Sequence, residues 1–370
     1  MKIVFISPKI AYSGAPKMMT WIANQMANRG HDVEIIVAYK SKIEQNINEK
    51  VIVKELNINQ SKKWLFRNTI GALNIVKQYK KEIKSYKPDI IVSFLDSISY
   101  LFIFLNKLLW HYRIIVSERV DPYNRNGWKS NIRFKISKMA DYSVFQTENA
   151  RDYFKNDYKE KSTVIGNPVV ITNEMTNVLK MRKEKKFTRK NTIVSVGRLN
   201  ITQKRQDVLI KAFNEFLKKH NNYDLYIYGD GSDREKIVEL INKMSLNEKV
   251  HLMGRQEKIL EKIYDSACFV LTSDFEGIPN ALIEAMSIGL PCISTDCSPG
   301  GARMLIKDGE NGFIVDRNDY IGISRKLEYI IDNPEKIKTI EKEAMKISNL
   351  LSEKSIADKW EQTFMLVTRR

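Results

Sequence analysis

Two glutamates, Glu276 and Glu284, stand eight positions apart around a Gly-Ile-Pro-Asn turn in SDFEGIPNALIEAMSIGLPCIST (273–295), in a chain whose net charge is +17. Gly277 and Pro279 turn the backbone, Asn280 is the expected N-cap of a helix ALIEAMSIG, and Gly289 with Pro291 closes it. Glu284 then falls in the first turn, beside amides that have no intrahelical partner. Such amides and the helix dipole suit an anion such as phosphate. A carboxylate among them is best used to accept hydrogen bonds from neutral hydroxyls, and a sugar nucleotide offers both groups. Taken alone, the stretch fits equally well a capped helix whose glutamate acts only through the dipole.

A second constellation lies in SVGRLNITQKRQDVLIKAF (195–213), where a strand runs into Gly197 and Arg198, and Lys204 precedes an amphipathic helix. Two permanent cations on a strand-exit loop can neutralise a diphosphate that gains charge as its glycosidic bond breaks. By themselves they also fit ordinary loop cations. SPKIAYSGAPKMM (7–19) sets Gly14 between a strand and a helix, where backbone could approach a phosphate, although it lacks the full dinucleotide spacing. YGDGSDREKI (228–237) and DCSPGGARMLIKDGENGFIV (296–315) are further Gly-rich loops. Asp230 and Asp233 match a metal-binding pair poorly, so neither a metal nor another cofactor is expected.

These loops need strands to carry them. Short β-branched runs (KIVFIS, DVEIIVAY, DIIVSFL, RIIVSE) alternate with helical stretches around 15–29, 62–86 and 98–110, and the alternation restarts at TIVSVG and runs through DLYIYGDG, VHLMG, CFVLTS and PCIST. Apolar strands separated by helices indicate parallel sheets covered on both faces, here two doubly wound α/β units in series. Ligands of such sheets bind beyond the carboxyl ends of the strands. The expected division is a first domain over 1–170, a basic linker over 171–190 and a second domain over 191–351. A final helix over 352–370 is expected to return to the first domain with Trp360 and Phe364 as anchors, leaving hinges near 170 and 350.

A chain of 370 residues with 43% apolar content can pack two such cores. Its three cysteines form no regular framework and no Cys-x-x-Cys pair, which fits a reducing cytoplasm better than a disulfide scaffold or zinc ribbon. MKIVFISPKI reads as a first strand, and YLFIFLNKLLW (100–110) is too short to cross a bilayer. Residues 1–168 carry 28 Lys and Arg against 15 Asp and Glu, a net +13, so the front half suits a polyanion or an anionic membrane surface as well as plain solvation. The basic helix 61–87 could turn one face to its sheet and the other to lipid or to the pyrophosphate of a lipid carrier.

The ordered set Gly14-Ala15, Gly197-Arg198 with Lys204, GDGSDREKI, FEGIPNALIEAM, GLPCISTDCSPGG and DGENGFIV resembles a bacterial family 4 (group 1) glycosyltransferase, retaining and metal-independent, of the GT-B fold. The resemblance spans essentially the whole chain and is densest over 193–315. SFLDS and VSERVDP are similar to the branch that extends lipid-linked oligosaccharides. The resemblance implies two Rossmann-like domains facing a cleft, a nucleotide-sugar donor, UDP-linked as the first expectation, and a glycan or polyprenyl-pyrophosphate-linked acceptor. It further implies that Glu276 holds donor-hexose hydroxyls, that Gly277, Ile278, Pro279, Asn280, Ala281 and Leu282 face sugar and phosphate, and that Glu284 binds the ribose. Arg198 and Lys204 would hold the diphosphate, Gly14 would close over it and Arg255 would lie beside the base. The chain departs from the pattern at Pro16, and at Arg119, which stands where the family often has a histidine near the reaction centre. Arg198, Lys204, Glu276 and Arg119 are thus the candidate catalytic residues of a cytoplasmic enzyme, peripheral on the inner face of the membrane.

Two other readings compete. A GT-B sugar-nucleotide epimerase or phosphorylase keeps the fold and changes the reaction, and would act on donor alone or need phosphate or a lysine-bound cofactor. A basic nucleic-acid-binding protein is disfavoured, since the positive excess lies away from the helix-terminus motifs and no helix-turn-helix, RRM or finger pattern occurs.

Overall fold

The computed structural model describes residues 1–10, 14–40, 46–56, 58, 69–94, 97–119, 121–124, 128–154, 156–184 and 187–369. The chain divides into two compact units, Met1–Asn167 with Lys354–Arg370, and Pro168–Glu353.

The first unit is built on a seven-stranded sheet of order β3-β2-β1-β4-β5-β6-β7. Its strands are β1 Lys2–Ser7, β2 Asp32–Val37, β3 Val51–Glu55, β4 Ile90–Phe94, β5 Ile114–Glu118, β6 Tyr142–Phe145 and β7 Ser162–Val164. All pair in parallel, with Ile3 registered on Val33 to one side and Ile90 to the other. β1, β4 and β5 are almost wholly buried because helices cover both faces, which is why they read as unbroken β-branched runs. The Gly14–Asn28 helix buries Met18, Met19, Ile22, Ala23 and Met26, a three-to-four residue spacing that presents one face to the sheet.

The expected helix 62–86 is described from Thr69 to Tyr86; residues 61–68, including Trp64, Leu65 and Phe66, lie outside the described residues. Ile75, Val76, Tyr79 and Ile83 are buried, while Lys77, Lys81 and Lys84 are exposed. The neighbouring Ser97–Leu105 helix continues into a wider five-residue turn, Asn106–Trp110, ended by left-handed His111. Buried Asn106 locks that end, donating to the Tyr112 carbonyl at 2.8 Å and accepting from its amide at 3.0 Å.

The last helix, Glu353–Arg369, completes this unit. Trp360 and Phe364 are fully buried, and the Trp360 ring stacks on Phe94, at the end of β4, with centroids 6.5 Å apart. Arg29 pairs with Asp358 and Glu361, and His31 Nε2 lies 2.8 Å from Glu361. These partly buried ion pairs act alongside the buried aromatics in holding the helix.

The second unit has a six-stranded parallel sheet of order β10-β9-β8-β11-β12-β13. The strands are β8 Lys190–Val196, β9 Asp224–Tyr228, β10 Val250–Gly254, β11 Ser266–Leu271, β12 Cys292–Thr295 and β13 Phe313–Val315. Ile193 of β8 is registered on Leu225 and Cys268. In each sheet the chain builds outward one way, then returns beside the first strand and builds the other way, so a switch point lies between β1 and β4 and another between β8 and β11.

The segment expected as a basic linker, 171–190, instead carries the Asn173–Met181 helix, capped by Thr172 Oγ1 accepting from Met175 N at 3.1 Å. Met175 and Val178 are buried. Its cations are partly structural: Arg182 and Arg189 both pair with Glu341, at 3.2 and 2.7 Å. Burial pulls the Arg182 guanidinium down to about 10.

Candidate functional site

The loops at the carboxyl ends of β8, β9, β10 and β11 are tied to one another by backbone. Gly197 N donates to Tyr228 O at 2.9 Å and Gly229 N to Gly254 O at 2.8 Å, which sets the loops bearing Arg198 and Arg255 on either side of the β9 loop. The approach is close: a Cβ on Gly229, whose φ is +130°, would sit 1.9 Å from the Gly197 carbonyl oxygen. Across the switch point, Asp274 N donates to Gln203 O at 2.8 Å and the Thr272 hydroxyl to Lys204 O at 2.8 Å.

Lys204 closes a one-turn helix, Ile201–Lys204, whose N-cap Asn200 accepts from Gln203 N at 2.9 Å. Its side chain runs past Gly197, where an added Cβ would meet the Lys204 Cε at 3.5 Å, and ends in an ion pair with Glu276 Oε1. The same oxygen accepts from Ser273 Oγ at 2.8 Å. Both partners are mostly buried, with 18% of the lysine and 12% of the glutamate side chain exposed, so this pair is shielded well beyond a surface ion pair. The glutamate's backbone is fixed as well, since Glu276 N donates to Ser298 O at 2.8 Å.

The helix after this turn runs from Asn280 to Ser287 with Pro279 as N-cap, not Asn280. Pro279 is extended (φ −75°, ψ 103°), and its carbonyl accepts from Leu282 N at 3.1 Å and Ile283 N at 3.2 Å, so the first turn closes one residue earlier than expected. Glu284 consequently lies in the second turn, half-buried. Leu282 and Ile278 are core side chains, Ala281 and Asn280 are half-buried, and Gly277 is packed against the next loop: a Cβ on Gly301 would fall 1.8 Å from the Gly277 carbonyl oxygen.

Residue types and spacing gave no signal for the clamp that supports this pair. Arg205, in left-handed conformation (φ 50°, ψ 46°), pairs with Asp207 at 3.0 Å and Asp274 at 2.9 Å and also meets Asn318. These acids raise its guanidinium above the ordinary value. Buried Gln206 donates from Nε2 to the Arg198 carbonyl at 2.9 Å. Asp233 accepts from Ile201 N at 2.9 Å, anchoring the start of the Lys204 turn. Beyond Asp274, a concave region of about 570 Å³ opens among Asp274, Asp296, Asp316, Arg317 and Asn318, at the ends of β11 to β13. Among the described residues no group of three or more His, Cys, Asp or Glu side chains is arranged to hold a metal ion.

The second unit therefore gathers Arg198, Lys204, Arg255, Glu276 and the 277–284 stretch on adjoining strand-exit loops, with Arg198 and Arg255 exposed. Gly14 and Arg119 belong to the first unit, Gly14 as the exposed first residue of its helix and Arg119 just beyond β5. Arg119 Nε donates to Ser117 Oγ at 3.0 Å and Nη1 to Asn167 Oδ1 at 2.6 Å, and the guanidinium lies over the Phe94 ring at 5.1 Å. Burial lowers it to about 9.

The family model for "Glycosyl transferases group 1" matches residues 178–347, the stretch that carries these loops. The chain is a glycosyltransferase with a group 1 domain. This glycosyltransferase is 26% identical over 337 residues to the Campylobacter jejuni α-1,4-N-acetyl-D-galactosaminyltransferase named for a GalNAc-GalNAc-diNAcBac-PP-undecaprenol acceptor, covering 90% of this chain and 89% of the relative. It is 25% identical over 364 residues to the amylovoran biosynthesis glycosyltransferase AmsD of Erwinia amylovora, covering 97% and 98%. Its fold is GT-B: HepE of Anabaena, solved in complex with UDP, superposes with a TM-score of 0.80 over 99% of this glycosyltransferase and 100% of that chain, at 17% identity.

Proposed function

We propose that this glycosyltransferase moves a hexose or N-acetylhexosamine from a UDP-sugar to a lipid-linked or surface glycan, without a metal and with retention at the anomeric carbon. The observation that carries the reading is the shielded Lys204–Glu276 pair at the switch point between β8 and β11, directly before a helix N-terminus. A donor diphosphate attracts Lys204 and Arg198. Glu276 is then released to accept from sugar hydroxyls, with the backbone of Gly277 to Ala281 beside it. Glu284, one turn further on, serves the ribose hydroxyls, and Arg255 borders the base. In the first unit Gly14 stands at a helix N-terminus, a position suited to a phosphate.

A nucleoside diphosphate leaves as a stable anion, so the cations at 198 and 204 replace a general acid. In the proposed step the acceptor oxygen forms a bond to the anomeric carbon as the sugar–phosphate bond breaks on the same face, and the acceptor's proton passes to the departing diphosphate oxygen. UDP in the HepE structure and the undecaprenol-linked acceptor of the Campylobacter relative support these donor and acceptor classes.

An anionic membrane partner is supported by apolar surface beside the lysine-bearing helix: Leu108 and Leu109 are 56% and 62% exposed, next to Lys107. Among the described residues no helix is long and apolar enough to cross a membrane.

A panel of UDP-, GDP- and ADP-sugars incubated with and without a polyprenyl-diphosphate-linked saccharide tests the reading. Sugar should move only with acceptor present, and the product's anomeric configuration by NMR should match the donor's. Conversion of donor alone to a second sugar nucleotide, or an inverted product, would contradict it. Flotation with anionic vesicles at low salt tests the membrane part, which is lost if the protein stays in the unbound fraction.

A further inference from the structure

Arg119 is a shielded cation for which the described residues supply no counter-charge. Every hydrogen-bond acceptor the described residues give it is neutral: Ser117 Oγ at 3.0 Å and Asn167 Oδ1 at 2.6 Å. Asn167 is itself held by Gln146 Nε2 at 3.1 Å. The guanidinium also lies over the face of Phe94, 5.1 Å away. Nη2 reaches neither solvent nor a hydrogen-bond partner, and no carboxylate among the described residues lies within 4.0 Å of the guanidinium. Asp121, two residues on, accepts from Tyr123 N at 2.9 Å through Oδ1, while its Oδ2 is buried without a hydrogen-bond partner.

Taking a guanidinium out of water without a counter-ion costs several kcal/mol in general, and proteins ordinarily meet that cost with a paired acid. Here the group lies just beyond the carboxyl end of β5, where doubly wound sheets receive ligands. A planar guanidinium held by neutral partners suits a phosphate or carboxylate oxygen.

We propose that Arg119 is an oxyanion receptor, and that its guanidinium takes a phosphoryl oxygen of the acceptor substrate, the diphosphate of a lipid-linked glycan. This rests on the reading that the enzyme glycosylates such an acceptor. Phe94, stacked on Trp360 of the last helix, and Asn167 are its positioning residues.

Calorimetric titration of inorganic pyrophosphate tests it in the Lys204→Ala/Arg198→Ala protein, where the donor-side cations are removed. Pyrophosphate should still bind, weaken about tenfold or more on adding Arg119→Gln, and recover with Arg119→Lys in its place. Titration with UDP separates the sources. An affinity unchanged within about twofold in Arg119→Gln alone assigns the oxyanion to the acceptor, and a loss of about tenfold or more overturns that assignment in favour of the donor. Pyrophosphate binding that ignores Arg119→Gln overturns the receptor itself. Pyrophosphate binding that depends on Arg119 in a protein that binds no nucleotide leaves the receptor standing while the UDP-sugar reading fails. Thermal midpoints guard against misfolding: a receptor gives Arg119→Gln a midpoint equal to or above that of the unliganded wild type, because an uncompensated charge is gone. A purely structural clamp gives a lower one, and that result overturns the proposal.

Discussion

The loop after β8 and the loop after β5 each present a partly buried cation at the carboxyl edge of a parallel sheet, yet they settle its charge in opposite ways. Lys204 is paired with Glu276, and its neighbour Arg205 with Asp207 and Asp274. Arg119 has only neutral partners among the described residues. The difference teaches what each loop waits for. A preformed ion pair keeps its lysine in place, and a ligand must exchange one anion for another. An unpaired guanidinium is costly until a ligand brings the anion.

The largest expected effect comes from the support beneath Arg119. Trp360→Ala empties a fully buried site and should cost about 3–5 kcal/mol of stability in denaturant unfolding. Nucleotide affinity should stay within about twofold while the protein is folded, because Trp360 and the Lys204 loop belong to different units. Equal loss of both would break the comparison.

Lys204→Ala comes next. With the fold intact by circular dichroism, turnover should fall by about 2.7–4 kcal/mol, on the order of a hundredfold to a thousandfold. Glu276 then keeps Ser273 as a donor, so the stability change should be smaller than for Trp360→Ala. Near-normal turnover with every donor would show that the compensated cation is structural.

Gly301→Ala probes the backbone beneath the same pair, since its Cβ would fall 1.8 Å from the Gly277 carbonyl oxygen. Overpacking of this kind should cost about 1–3 kcal/mol in stability and weaken nucleotide binding together with it. A melting curve and a titration on one sample check both.

The smallest effect concerns the cysteines. Cys268, Cys292 and Cys297 are buried, and burial pushes all three thiols up, Cys297 to about 12. Iodoacetamide should leave them unmodified at neutral pH by mass spectrometry and label them in denaturant. Rapid labelling of the folded protein would mean that the second unit opens readily.

Most of the fold is legible in the sequence because parallel strands buried on both faces read as near-continuous apolar runs, and KIVFIS, DIIVSF and SACFVL are such runs. The Asn173–Met181 helix is hidden because only Met175 and Val178 of it are fully buried, amid charged residues that read as a linker. At the site, residue types announced Arg198, Lys204, Glu276 and Glu284. They did not announce that Lys204 and Glu276 meet, since the two are 72 positions apart and joined only by the switch in strand order. The cap moved from Asn280 to Pro279 because a proline carbonyl closes a first turn as well as any other, while propensity favours the asparagine side chain. The clamp by Arg205 depends on a left-handed backbone at a non-glycine residue, which local preference argues against.

Isothermal titration of UDP into the wild-type protein and into Lys204→Ala tests the donor reading most directly. The expected result is one site on the wild type, weakened about tenfold or more by the substitution. Absence of UDP binding to the wild type, or equal affinity in the two proteins, would contradict it.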